Sequence, residues 1–181
     1  MTVPASDPIT FRLATPADAL CLGVLSTQVF LDTYATQGVR PALALEVLEQ
    51  HSVAVYDALL ADAGVTILVA ECAGHLVGFS QVRDGGGHAQ VPASAASELR
   101  RLYVQERFTG RGLGRDLLRQ AEKAAAARGA EMLWLTAWEG NARALQFYPR
   151  CGYEDLGGTI YSFGGDDYPN RLFGKRVRHV A

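Results

Sequence analysis

The chain has 181 residues, 49% hydrophobic and 20% charged, with a formal net charge of −2. That size predicts one domain, residues 1–181, with a true core, and the charge balance gives no electrostatic case for nucleic acid. No apolar run approaches the roughly 18 residues that would span a membrane, and the N-terminal MTVPASDPIT lacks the basic and apolar regions of a secretory signal, so a cytoplasmic protein is expected.

In chain order, residues 9–13 read as a short strand. Thr15-Pro16-Ala17-Asp18 opens a helix, with Thr15 as cap and Pro16 at the first helical position, that runs to about Phe30. A second helical region starts near Pro41, carries Leu43, Val47 and Leu48 on one face, and continues towards Leu60. Residues 66–71 and 76–82 form a hairpin turning at Ala73-Gly74. A flexible connection covers residues 84–97, and residues 99–104 form the next strand. Helical spacing of Leu113, Leu117, Leu118, Ala121, Ala124 and Ala125 then stops at Gly129. An apolar strand at residues 132–137 precedes a short helix with Asn141 as cap and Pro149 as terminator. Strands at 159–163 and 171–177, joined by residues 164–170, end the pattern. The order predicts an α/β fold, a mixed sheet with helices on both faces.

Cys21, Cys72 and Cys151 show no C-x-x-C spacing, and His51, His75, His88 and His179 are scattered without acids at ligand spacing. Neither a disulfide framework nor a metal site is expected. Cys151 reads as a small packed hydrophobe, with no histidine nearby in sequence to activate it.

The most telling run is Thr109-Gly110-Arg111-Gly112-Leu113-Gly114-Arg115. Three glycines at alternate positions, between a strand and a helix N-terminus, leave bare backbone N–H groups and a partial positive charge for a phosphate. The same residues also suit an ordinary tight turn. A Walker A loop requires a Lys-Ser or Lys-Thr pair that is absent. A dinucleotide fingerprint requires its third glycine one residue later, and Glu131 begins the next strand where a ribose-binding acid would end one.

The loop resembles the acyl-coenzyme A loop of the GNAT superfamily of N-acetyltransferases, Q/R-x-x-G-x-G/A, with Gly112 and Gly114 at its small positions and Thr109 where Gln or Arg is usual. Asn141-Ala-Arg-Ala-Leu-Gln-Phe147-Tyr148 is similar to that family's N-x-x-A-x-x-F-Y element, followed by Gly152-Tyr153. The resemblance covers about residues 66–177 and implies the GNAT sheet, mainly antiparallel and flanked by helices on both faces. It also implies acetyl-CoA as co-substrate and direct transfer to an amine in a ternary complex.

Carried over, Leu102, Tyr103 and Val104 supply backbone to pantetheine and to the thioester oxygen, while their side chains are free to pack in the core. Residues Thr109, Gly110, Arg111, Gly112, Leu113, Gly114 and Arg115 hold the coenzyme phosphates through the main chain. Arg111 and Arg115 either add charge there or are solvated. Asn141 caps its helix and contacts the coenzyme. Tyr148 matches the tyrosine that protonates the departing thiolate, with aromatic anchoring as its plain alternative. Glu98 matches the general base of some members, or else pairs with Arg100 or Arg101. Trp138 lines the acceptor pocket or packs in the core beside Trp134.

The acceptor side falls to the helices within residues 15–60. The segment around Phe30, Asp32 and Tyr34 and the tail 160–175 look similar to small-amine, polyamine-type members. Asp32, Asp166 and Asp167 then either attract a cationic amine or are solvated loop acids. Peptide N-termini, aminoglycosides and a non-catalytic acyl-CoA-binding module stay open, although Tyr148 and Glu98 favour an enzyme. The resemblance is compatible with an edge-strand homodimer and calls for neither nucleic acid nor membrane.

Overall fold

Residues 8–177 are described by a computed structural model; the first seven residues of the N-terminal segment and His179 lie outside them. Seven strands form one sheet: β1 (Ile9–Leu13), β2 (Val65–Cys72), β3 (His75–Asp84), β4 (Ala96–Val104), β5 (Met132–Trp138), β6 (Glu154–Phe163) and β7 (Asp166–Arg176). Their order is β1-β2-β3-β4-β5-β7-β6, and β4–β5 is the one parallel pair among the described residues. Five helices pack on it: α1 (Ala19–Tyr34), α2 (Pro41–Gln50), α3 (Val53–Ala61), α4 (Leu113–Ala127) and α5 (Ala142–Arg150).

Alternation along the strands sorts the apolar side chains onto two faces. On one, Leu118, Ala121 and Ala125 of α4 and Tyr148 of α5 pack against Val82, Leu99, Leu133, Leu135 and Phe173. On the other, Leu22 and Leu25 of α1 and Tyr56 of α3 cover Ile67, Val69 and Phe79. The expected mixed, mainly antiparallel sheet between helices is the fold.

Several local expectations need correction. The first helix runs past Phe30 to Tyr34, because Phe30 and Tyr34 share a stripe packed on Phe163. The helical region from Pro41 breaks at His51-Ser52: Ser52 starts a new helix, its Oγ accepting from the Val55 N–H at 3.4 Å. Pro149 does not end α5 but sits in its last turn, where only the Leu145 carbonyl loses its donor. The presumed loop 164–170 is mostly strand. Gly164 and Gly165, at φ +58° and +83°, make a two-residue turn of the kind that only positive φ at both positions allows. The connection 84–97 is pinned, since Val91 is buried with Ala96, Trp134 and Leu172, and the Trp134 indole N–H donates to the Gly86 carbonyl at 2.6 Å.

The start of α1 is fixed by charge. Arg12 on β1 donates to both Asp18 carboxylate oxygens at 2.7 and 2.8 Å and to Glu71 on β2 at 2.6 Å. The Thr15 N–H also donates to Asp18, at 2.7 Å. Chiefly through the Arg12 hydrogen bonds, the buried Asp18 carboxyl is held down to about 2. A carboxyl depressed in the folded state stabilises the protein above its unfolded value and loses that contribution as pH falls through the folded one. Asp18→Asn should therefore cost about 1–2 kcal/mol at pH 7, a figure reduced for the solvent around Arg12. Urea titrations should show the gap from wild type at full size above about pH 4 and closing towards pH 2. A gap independent of pH would mean that packing, not charge, explains the loss.

Candidate active site

The parallel ladder between β4 and β5 holds for three pairs, Ala96–Met132, Ser97–Leu133 and Glu98–Trp134, and then stops. Both strands continue, β4 to Val104 and β5 to Trp138, so a wedge opens in the middle of the sheet. Its opening coincides with a bulge: Arg101 pairs with Gln81 and Leu99 with Val82, leaving Arg100 as the extra residue of β4. Beyond the bulge, the side of β4 that faces β5 meets no strand among the described residues. Its backbone groups are thus available to an extended, amide-bearing ligand, as at any sheet edge. Leu102, Tyr103 and Val104 lie along this stretch. Their side chains are spent on packing, Leu102 and Val104 towards α4 and Tyr103 against Phe79 at 5.5 Å.

The N-terminus of α4 follows the end of β4 after a short turn, Glu106–Phe108, and the glycine loop. Gly112 is its N-cap, at φ +86°, and a Cβ built there or at Gly110 meets nothing within 4 Å. The first helical bond runs from the Asp116 N–H to the Gly112 carbonyl at 3.1 Å, so the N–H groups of Leu113, Gly114 and Arg115 have no role in the helix ladder. Leu113 is 4% exposed, its side chain among Phe108 and Leu117, so only its backbone can reach a ligand. Gly114 belongs to the first helical turn, and a Cβ there would sit 3.7 Å from the Phe147 ring. Thr109 Oγ1 donates back to the Glu106 carbonyl at 2.8 Å. Arg111 lies over the Phe108 ring, 5.7 Å from its centroid, and Arg115 is exposed. Asn141 caps α5, accepting from the Ala144 N–H at 3.0 Å.

Tyr148 and Glu98 occupy opposite faces of the sheet. Tyr148, 9% exposed, packs on Phe147, Tyr153 and Phe173 on the α4–α5 side. No hydrogen bond among the described residues engages its hydroxyl, and burial, followed by Cys151 and Tyr34, raises its pKa. Glu98 points the other way, beside Gly86 and Trp134, and accepts from Arg100 at 3.0 Å. The Arg100 partner anticipated for Glu98 is therefore present. Tyr34, from α1 on the Glu98 side, is the smallest of the influences that raise the Tyr148 pKa.

The face with α1 and α2 carries an aromatic wall. Tyr34 contacts Trp138 at 5.3 Å and Tyr168 at 6.2 Å, and Phe163 stacks on Tyr168 at 4.3 Å. Burial, then the neighbours Tyr161, Tyr168 and Glu46, pushes the Tyr34 phenol up to about 12, so it stays neutral. The acids read as amine attractors have other partners: Asp166 pairs with Arg40, and Asp167 accepts from Ser162. Asp32 is exposed. The sequence does not single out Tyr168 or Glu46 for this face, and it offers Arg101 only as a possible partner of Glu98. Only Arg101, three residues after Glu98 on the same strand, carried a signal. Among the described residues no group of His, Cys, Asp and Glu could hold a metal ion, and no helix is long and apolar enough to cross a membrane.

A mixed sheet split at its parallel pair, with a glycine-capped helix at the split, is the architectural class defined by this geometry. The model of the acetyltransferase (GNAT) family matches residues 32–153, and the chain belongs to that family. Among solved structures it resembles the PaiA N-acetyltransferase of Thermoplasma acidophilum in complex with coenzyme A, at a TM-score of 0.71 and 21% identity over 93% of this chain and 99% of that one. YncA of Salmonella typhimurium, solved with acetyl-CoA, gives a TM-score of 0.70 at 20% identity over 96% of both chains. The ribosomal-protein-alanine N-acetyltransferase of Brucella melitensis gives 0.67 at 24% identity, over 93% of this chain and 99% of that one. At these identities the likeness concerns the fold. An uncharacterized N-acetyltransferase from the pepI 3′ region of Lactobacillus delbrueckii subsp. lactis is 31% identical over 80 residues, 44% of this chain and 46% of the relative. The chain thus matches less than half the length of that curated relative.

Proposed function

We propose that the protein transfers an acetyl group from acetyl-CoA to a small primary amine, cationic in solution, by direct attack in a ternary complex. The observation that carries this reading is the wedge between β4 and β5, opening beside the free N–H groups of α4. Coenzyme A and acetyl-CoA in the Thermoplasma and Salmonella structures support it.

In this reading the backbone of Leu102, Tyr103 and Val104 pairs with the pantetheine amides. One of its N–H groups meets the charge that develops on the thioester oxygen. Residues 109–115 receive the pyrophosphate on N–H groups at the positive end of α4. The amine nitrogen approaches from the α1–α2 face, where Tyr34, Trp138 and Tyr168 offer ring faces that attract a cation. An amine of pKa about 10.4 must first lose a proton, costing about 4.6 kcal/mol at pH 7. Glu98, directly or through water, takes that proton. As the C–N bond forms the nitrogen sheds its second proton to water, the C–S bond breaks, and Tyr148 on the other face gives its proton to the thiolate and regains one from solvent. Two opposed faces joined by the wedge allow base and acid to act at once without sharing one pocket. The reading also assigns residues 1–181 to one domain in the cytoplasm, with β1 and β6 as the sheet edges available to a homodimer.

Thiol release from acetyl-CoA should be stimulated by at least one class in a panel of spermidine, amino acids, aminoglycosides and short peptides. Turnover confined to peptide N-termini would replace the small-molecule acceptor by a protein one. Coenzyme binding without any acceptor turnover would favour an acyl-CoA-binding module.

A further inference from the structure

Among the described residues, half-buried cations are matched by carboxylates, with one exception at the wedge. Arg12 is held by Asp18 and Glu71, and Lys175 by Glu122 at 2.8 Å. Arg101, on the acceptor face just past the β4 bulge, forms no ion pair with any described residue. Neutral groups hold it instead. Its Nη1 donates to Gln81 Oε1 at 2.7 Å and its Nη2 to the Gln50 carbonyl, the C-terminal end of α2, at 3.1 Å. Tyr56 lies under the guanidinium, 6.0 Å from ring centroid to Cζ.

This scaffold is itself built for rigidity. Gln81 is 2% exposed, and Tyr56, Ser26 and His51 are buried behind it, with Ser26 Oγ and His51 Nδ1 2.5 Å apart. Burial, and then the Arg101 charge, pushes the His51 imidazole down to about 3, so it adds no second cation. A guanidinium has five N–H donors: Gln81 and the Gln50 carbonyl take two, the Tyr103 hydroxyl lies within reach of a third, and the others meet no acceptor among the described residues. The α2 carbonyl end offsets part of the charge, but no full countercharge is supplied. Neighbouring acids are committed: Glu98 to Arg100, Asp166 to Arg40, and Glu46 to the Tyr161 hydroxyl. Tyr161 feels both Arg100 and Arg101, which puts this charge on the same face as the aromatic wall.

We infer that Arg101 receives a carboxylate of the acceptor, so the substrate is a small amine that also carries a carboxylate, of the amino-acid kind. The inference rests on the acetyl-transfer reading and sharpens it. A pre-oriented guanidinium with open donors binds a carboxylate through two parallel charge-assisted hydrogen bonds, an arrangement an ammonium cannot reproduce. The aromatic wall then suits an apolar body, and a polyamine would instead meet like charge.

Matched acceptors test this. L-Phenylalanine against phenethylamine, and L-methionine against 3-(methylthio)propylamine, differ by the carboxylate alone, with spermidine as a third type. Thiol-release kinetics on the wild type should favour the carboxylate member in kcat/KM by roughly 10- to 100-fold. Arg101→Gln should bring that ratio towards one, and Arg101→Lys should restore only part of it; acetyl-CoA binding by each variant reports that it is folded. Wild-type preference for phenethylamine or spermidine, or a ratio that Arg101→Gln leaves intact, would overturn the inference while acetyl transfer stands. Calorimetry with N-acetyl-L-phenylalanine on the CoA-loaded protein separates the two claims. Binding that needs Arg101 without any turnover would keep the carboxylate site and sink the transfer reading, and no binding would remove the site.

Discussion

Gly112→Val should abolish acetyl-CoA binding, lowering affinity by roughly 100-fold or more as two or more charge-assisted contacts are lost. Gly112 is the N-cap of α4 at φ +86°, a backbone conformation that a β-branched residue adopts only under strain. Its missing side chain faces open space, so nothing in the protein requires it to be small. Both effects act on the proposed phosphate cradle: valine fills the approach, and relief of strain turns the neighbouring N–H groups away. Calorimetric titration with acetyl-CoA, beside circular dichroism and a thermal melt, reads the result. Gly114→Ala is the packing control, since its methyl makes an ordinary 3.7 Å contact with Phe147. Affinity unchanged in a folded Gly112→Val protein would remove the loop from the coenzyme site.

Local chemistry explains which parts of this arrangement could be read in advance. Glycine caps, an asparagine cap and a leucine stripe at helical spacing act within a few residues, so α4 and the cap of α5 stood out from residue types alone. The β2–β3 hairpin and the sheet-between-helices class did so for the same reason. What did not show is non-local. The break between β4 and β5 arises from a bulge and from two strands diverging after Glu98, and neither leaves a residue pattern in one segment. The last hairpin is not legible locally because Tyr168, Pro169 and Asn170 look like loop residues, yet β6 pairs all three and β5 pairs Asn170 from the other side. Asp166 looked like a free acid in sequence, and only the fold brings Arg40 from the start of α2 against it. Arg101 is the mirror case: in sequence it is one of two candidate partners for Glu98, and the fold gives Glu98 to Arg100 instead.

Tyr148→Phe should lower kcat by roughly 10²-fold at neutral pH, the usual scale for a lost general acid, with KM for acetyl-CoA little changed. The substitution removes one oxygen from a ring held by Phe147, Tyr153 and Phe173, and those contacts persist in phenylalanine. No hydrogen bond to another described side chain is broken, so stability should stay within about 0.5 kcal/mol of wild type. Burial raises the Tyr148 pKa above that of an ordinary phenol, so the group remains loaded with its proton across the pH range in which amines become nucleophilic. The wild-type rate should accordingly rise with pH as the acceptor amine deprotonates and show no loss of its acid below about pH 10. Single-turnover measurements in both proteins separate chemistry from product release. If the variant kept full kcat, the hydroxyl would be a structural remnant, and the thiolate would take its proton from solvent through the wedge.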